Sequence, residues 1–67
     1  MKYWNKQKRI RLRQWTKVDG KLLPAAEMSM KSWCQSTPGD KFFYDFARDV
    51  WYFERSQDAS WFLLTWA

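Results

Sequence analysis

Two aromatic segments with a two-residue polar connection determine most of what the C-terminal half of this chain can form. They cover residues 41–47 and 50–55, and Arg48-Asp49 stand between them. Phe, Tyr and Trp suit a pleated surface, so two such segments with a short polar connection are typical of an antiparallel hairpin. Because aromatic residues fall at adjacent as well as alternate positions, both faces of the predicted hairpin are largely aromatic.

A third strand is predicted over residues 9–18, where apolar and basic residues alternate. Ile10 and Leu12 point to one side of this strand. The other side carries Arg9, Arg11, Arg13 and Trp15. Asp19-Gly20 is a turn signal, and it ends the predicted strand.

Two helices complete the predicted secondary structure. The first starts near Leu23 or Pro24 and continues to Ser36, where a group of Pro, Gly and short polar residues stops it. The second follows the hairpin and continues to the C-terminus. Ser56 is its predicted N-cap, and Asp58 lies in its first turn, where a carboxylate is favourable.

The resulting order β-α-β-β-α predicts an α+β fold. We expect a small plait with a three-stranded antiparallel-type sheet and both helices on one face, resembling a ferredoxin-like fold that lacks its last strand. Residues 1–67 then form a single domain, with a flexible basic arm over residues 1–8 as an alternative for the N-terminus. The sheet face without helices is left for solvent, for a second copy or for binding.

The charge of the chain is concentrated near its N-terminus. Residues 1–21 hold eight basic residues and one acidic residue, a net charge of +7, whereas residues 22–67 hold four basic and six acidic ones. An anionic partner is therefore expected to contact the N-terminal third.

The composition argues against catalysis. The chain has 67 residues, no histidine and one cysteine, Cys34, so it lacks both the most common general base and the most common metal ligand. Cys34 has no histidine to activate it and is expected to be a buried, inert thiol. We therefore expect no enzyme activity, no cofactor and no metal site.

No segment predicts a membrane span or a secretory signal. The longest apolar stretch, residues 61–64, is far shorter than the roughly 18 residues that a spanning helix requires. The basic start is not followed by an apolar region, so it does not resemble a signal peptide. A lone cysteine fits an intracellular, reducing setting.

Five residues are candidates for binding. They are Arg9, Arg11, Arg13, Trp15 and Trp61. The three arginines and Trp15 on one strand face would suit phosphates and stacked bases, or they could form an exposed face whose arginines pair with nearby acidic side chains. Trp61, like Leu64, lies off the helix face that carries Phe62 and Trp66, and it fits either the core or a partner contact.

The C-terminal half resembles small proteins encoded by tailed bacteriophages. The resemblance covers residues 30–67. It rests on Trp33-Cys34-Gln35, on Tyr52-Phe53-Glu54 and on an end that combines Asp58-Ala59 with Phe62-Leu63-Leu64-Thr65-Trp66. It implies a non-catalytic protein of the host-cell cytoplasm that docks on a host or phage protein and modulates it, as in host takeover.

Two other functions stay open from the sequence. One is binding of RNA or single-stranded DNA through a basic aromatic sheet face, and steep weakening by salt would distinguish it from a protein interface. The other is a structural component of the virion or of its assembly. A homodimer through the open sheet face is a further expectation, and no membrane partner is expected.

Overall fold

In the computed structural model, residues 1–4 and 13–67 are described, and they form two helices and four strands. The elements in chain order are β1 (Lys2–Tyr3), β2 (Thr16–Asp19), α1 (Glu27–Ser36), β3 (Lys41–Asp45), β4 (Val50–Phe53) and α2 (Ser56–Trp66). A 3-10 turn, Gly20–Leu22, follows β2. The predicted α+β class and the two helices are confirmed.

The four strands form one mixed sheet in the order β1-β3-β4-β2. β4 is antiparallel to both β2 and β3, whereas β1 is parallel to β3. The prediction of three strands is therefore wrong. β1 could not be predicted from the sequence because two residues are too few to show alternation. Lys2–Tyr3 belong to the sheet, while residues 5–8 of the segment considered as an arm lie outside the described residues.

β2 is shorter than predicted. It begins at Thr16, and Arg13 and Trp15 precede it, so the predicted strand over residues 9–18 is wrong for its described part before Thr16. Residues 9–12 lie outside the described residues. Thr16 pairs with Phe53, the last residue of β4, so no residue of β4 lies opposite Trp15. The chain bends at Trp15, whose ring packs against Trp4 with the ring centroids 5.4 Å apart.

The aromatic hairpin is confirmed, although both strands end two residues earlier than predicted. Its turn spans residues 46–49, and Asp49 has a left-handed backbone with φ of 58°. Aspartate tolerates this region better than most residues. The Tyr44 hydroxyl donates a hydrogen bond of 2.6 Å to Asp49 Oδ1, which holds the turn against the end of the sheet.

Both helices start differently from the prediction. α1 begins at Glu27 because Leu23, near its predicted start, has an extended backbone and is buried in the core. Ser56 is the first residue of α2, so its predicted role as N-cap is wrong: the N-cap is Arg55, which makes no side-chain capping bond. Asp58 does lie in the first turn. It is buried and accepts a hydrogen bond of 2.9 Å from the Asp40 backbone N–H.

The hydrophobic core lies between residues of the sheet and residues of both helices. Its largest fully buried side chains are Trp51, Phe42, Phe53, Phe62 and Cys34. The Phe62 ring of α2 lies 5.1 Å from that of Trp51 and 4.9 Å from that of Phe53. Burying each such ring stabilises the fold by about 1.5–3 kcal/mol, so the interior is formed chiefly by aromatic contacts.

Candidate interaction surface

The described residues contain no grouped metal-ligating side chains, and their single cysteine is buried. Within residues 1–4 and 13–67, no three His, Cys, Asp or Glu side chains are grouped as a metal site would require. Cys34 is fully buried, and burial raises the pKa of its thiol to about 12. A thiol with this pKa is protonated at neutral pH and is a poor nucleophile. In the same part of the chain, no helix is both long enough and apolar enough to cross a membrane.

Of the five predicted binding residues, the structure describes Arg13, Trp15 and Trp61, and it does not bring these three together. Arg9 and Arg11 lie outside the described residues, and Arg13 is exposed just before β2. Trp15 lies on the sheet face that the helices leave free. Trp61 lies on the helix side, where its ring packs edge-to-face against Trp33 of α1 at 5.8 Å. The two tryptophans therefore belong to different surfaces.

The sheet face without helices carries a small aromatic cluster. Phe43 of β3 lies 6.1 Å from Tyr52 of β4 and 5.9 Å from Trp4, which in turn contacts Trp15. Tyr52 is only 8% exposed. The expectation of an open aromatic face is therefore wrong for Tyr52, which is buried, while Phe43, Trp4 and Trp15 are half-buried. Rings that pack on one another leave few free planes for bases to stack on.

The four most exposed large apolar side chains of the described residues belong to turns and helix ends at one end of the molecule. β2 and β3 finish at this end, β4 and α1 begin there, and α2 finishes there. The side chains in question are Leu22 (79% exposed), Met28 (76%), Phe46 (79%) and Leu64 (85%). We call these four residues the apolar end. Trp61 lies one helical turn before Leu64 and is 44% exposed.

Two turns that carry members of the apolar end are tied to each other. Gly20 N–H donates a hydrogen bond of 2.8 Å to the Asp49 carbonyl, and Lys21 Nζ donates one of 3.0 Å to the Arg48 carbonyl. A Cβ on Gly20 would lie 2.3 Å from Asp49 Oδ1, so only glycine permits this approach. The 3-10 turn with Leu22 and the hairpin turn with Phe46 are thereby held as one unit.

Among residues 1–4 and 13–67, the charged residues around the apolar end are of both signs. They are Asp19, Lys21, Glu27, Asp45, Arg48 and Asp49, four acidic and two basic. The pKa of Tyr44, at the base of this end, is raised by burial and by its hydrogen bond to Asp49. An apolar centre with a polar rim of both signs is the usual anatomy of a protein interface.

Sequence reasoning identified only part of this surface. Trp61 and Leu64 were separable from the core because α2 has a clear helical period. Leu22, Met28 and Phe46 were missed, since nothing in the local sequence distinguishes these exposed apolar residues from apolar residues of the core. Only the strand directions and the two linked turns reveal that they share one end.

Comparisons with protein-family models, with curated proteins and with solved structures find no match to this chain. Its function is therefore inferred from the geometry of the described residues.

Proposed function

We propose that this chain is a non-catalytic binding protein that docks on a protein partner through the apolar end and modulates that partner. The observation that carries the proposal is the gathering of Leu22, Met28, Phe46 and Leu64, each more than three-quarters exposed, at one end. The resemblance to small phage proteins supports a host or phage protein as the partner.

The energetics of burial support a docking role for these four side chains. Covering one Leu, Met or Phe side chain stabilises a complex by about 1.5–3 kcal/mol before the costs of association are subtracted. Four such side chains provide a centre comparable to the anchor clusters of known interfaces. Scattered exposed apolar residues are ordinary on proteins, but a group at one end marks an interaction site.

The partner best suited to this surface is a protein with an uncharged groove. The only charged residue of α2, Asp58, is buried, so the exposed side of this helix offers Trp61 and Leu64 without a competing charge. An apolar helix side of this kind fits the groove of another protein. The charges of the rim can then pair with polar groups around that groove.

Capture from a lysate of the host bacterium tests the proposal when matched variants are compared. The docking variant combines Phe46→Gln with Leu64→Gln, and the control replaces Arg9, Arg11 and Arg13 by Gln. We expect one protein to be captured by the unmodified chain and by the control, in high salt and after nuclease treatment, but not by the docking variant. Titration with that protein, once purified, should then give a one-to-one complex with a negative heat-capacity change.

Three results would contradict the proposal. Nuclease-sensitive capture that is lost in the arginine control would indicate nucleic-acid binding through the basic segment. Capture that the docking variant retains would exclude the apolar end. Recovery of only this chain itself, dependent on Phe46 and Leu64, would indicate a structural, self-assembling role.

We also infer that residues 16–66 form a ferredoxin-like plait that lacks its last strand. The support is topological: β2 and β3 are connected through α1, run in the same direction, and have β4 between them in the sheet. β1 then adds on the far side of β3, where the plait has no strand. A solved structure with β4 outside the β2–β3 pair would contradict this assignment.

A further inference from the structure

β2 forms one edge of the sheet, and its outward backbone groups belong to two particular residues. No strand of the described residues lies beyond β2. Gly20 N–H bonds to the Asp49 carbonyl, and the ladder continues with Val18 opposite Trp51. In an antiparallel ladder every second residue bonds to the neighbouring strand. Val18 therefore directs its N–H and C=O to β4, while Lys17 and Asp19 direct theirs away from the sheet.

We propose that two copies of this chain pair antiparallel through their β2 edges, about a two-fold axis at Val18. This register places Lys17 of each copy opposite Asp19 of the other. The outward N–H and C=O groups of these two residues then form four backbone hydrogen bonds across the axis. The two four-stranded sheets become one continuous sheet of eight strands.

Charge complementarity selects a second copy as the occupant of this edge. Lys17 and Asp19 are both exposed and lie on the same sheet face, so the two-fold register creates two Lys–Asp pairs. Opposite charges facing each other across antiparallel strands are stabilising, and like charges are destabilising. Centring the pair on Lys17 or on Asp19 would put like charges together. The charges of β2 thus favour the register centred on Val18 when two copies pair through this edge.

α2 supplies a second observation on the helix side of the same edge. It packs over β2 and β4, and Trp61 turns toward α1. Leu63 is two residues away and so points to nearly the opposite flank of the helix. This flank faces the β2 edge, and Leu63 is 41% exposed. The two-fold axis brings the Leu63 flanks of both copies toward each other, which adds apolar contact to the backbone pairing.

Charge reversal on one side of the pair tests the proposal. Lys17→Glu leaves acidic residues facing acidic ones, and Asp19→Lys leaves basic residues facing basic ones, so each variant alone should self-associate about tenfold more weakly or worse. An equimolar mixture of the two restores both opposite-charge pairs and should recover the dimer. Lys41→Glu, on the same face but two strands away, makes the same charge change as Lys17→Glu and should dimerise normally.

Sedimentation at a series of concentrations measures these changes, and amide hydrogen exchange locates them. In the unmodified chain, exchange at Lys17 and Asp19 should slow as the dimer forms, while circular dichroism shows all variants folded. An unmodified chain of 8.3 kDa at every concentration would overturn the proposal. So would a dimer that Lys17→Glu leaves intact, or a mixture of the two variants that stays monomeric.

Discussion

The two ends of the molecule differ in which side chains they bury and which they leave in solvent. At the end opposite the apolar end, polar groups are buried and hydrogen-bonded to one another. The Met1 ammonium donates to the carbonyls of Cys34 and Thr37, and Asp58 accepts from the Asp40 N–H. At the apolar end, large side chains stay in solvent. The buried hydrogen bonds at the first end stabilise the fold, and we propose that the apolar end binds a partner.

We call the end that holds Met1, Asp40 and Asp58 the polar end. Gly39 shows how closely its chain segments pack. It has φ of 155°, and a Cβ at this position would lie 2.8 Å from Met1 Cγ and 3.0 Å from Asp58 Oδ2. The N-terminal residue and the start of α2 thus converge on one glycine. The apolar end also contains a close approach, at Gly20, but this contact joins two turns and leaves their apolar side chains outside. The comparison predicts that substitutions at the polar end lower stability, whereas those at the apolar end lower binding.

The largest change in the free energy of unfolding is expected for a substitution at the polar end. Asp58→Ala removes the acceptor of the Asp40 N–H and leaves that donor unpaired, which should lower the free energy of unfolding by about 1.5–3 kcal/mol. Urea unfolding followed by tryptophan fluorescence measures this change. Asp40→Ala keeps the backbone donor and serves as the control, with a change expected within about 0.5 kcal/mol. Equal losses in the two variants would contradict the assigned role of Asp58.

Alkaline pH should weaken the polar end through Cys34. Its pKa in the folded chain is about 12, above the ordinary value of 9.0, because the thiol is buried. The unfolded chain therefore ionises first, and stability is complete below pH 9 and falls between pH 9 and 12, by up to about 1.4 kcal/mol per pH unit. Tyr44, whose pKa is also raised, adds in the same direction at higher pH.

Unfolding of the unmodified chain and of Cys34→Ala at pH 8 and pH 10 isolates the contribution of Cys34. We expect the free energy of unfolding to fall less in the variant over this interval, whatever its absolute stability. An identical fall in both proteins would show that the thiol is not protected by the fold.

A smaller change in the free energy of unfolding is expected for Tyr44, which supports the hairpin turn of the apolar end. Tyr44→Phe removes the hydrogen bond to Asp49, a loss of about 0.5–1.5 kcal/mol. Binding of the partner should weaken with it, since the hairpin turn that carries Phe46 becomes less ordered. Tyr52→Phe is the matched control on the other sheet face and should leave binding unchanged. Weaker binding in both variants would show that the loss of binding does not depend on the hairpin turn.

The smallest effect on stability is expected at the apolar end itself. Leu64→Gln replaces a side chain that is already in solvent, so the free energy of unfolding should change by less than about 0.5 kcal/mol. Binding, in contrast, should fall by about tenfold or more, because a buried Leu contributes more than 1.4 kcal/mol to a complex. Thermal unfolding and titration of the same samples compare the two quantities. A large loss of stability would place Leu64 in the fold rather than in the interface.

Local patterns in the sequence predicted the elements whose signals are local. The hairpin follows from its aromatic alternation, and the second helix follows from the spacing of Ala59, Phe62 and Trp66. The boundaries were less accurate because the core overrides local propensity. Leu23 is drawn into the core before α1 begins, and Asp58 turns inward to bond Asp40.

Features that depend on pairing between distant parts of the chain could not be predicted. β1 exists because Lys2 and Tyr3 pair with Lys41 and Phe42, and two residues alone carry no period. The apolar end combines residues from two turns and two helices, so no single window of sequence contains it. The contact between Trp4 and Trp15, on the second sheet face, is likewise a product of the tertiary fold.

The indole N–H signals of the six tryptophans provide the most direct test of docking at the apolar end. Trp61 lies beside Leu64, Trp4 and Trp15 lie on the other sheet face, and Trp51 is buried as an internal reference. On addition of the captured partner, we expect the Trp61 signal to shift or broaden while those of Trp4, Trp15 and Trp51 stay in place. A shift at Trp4 and Trp15 with an unchanged Trp61 would contradict the proposed surface and place the partner on the sheet.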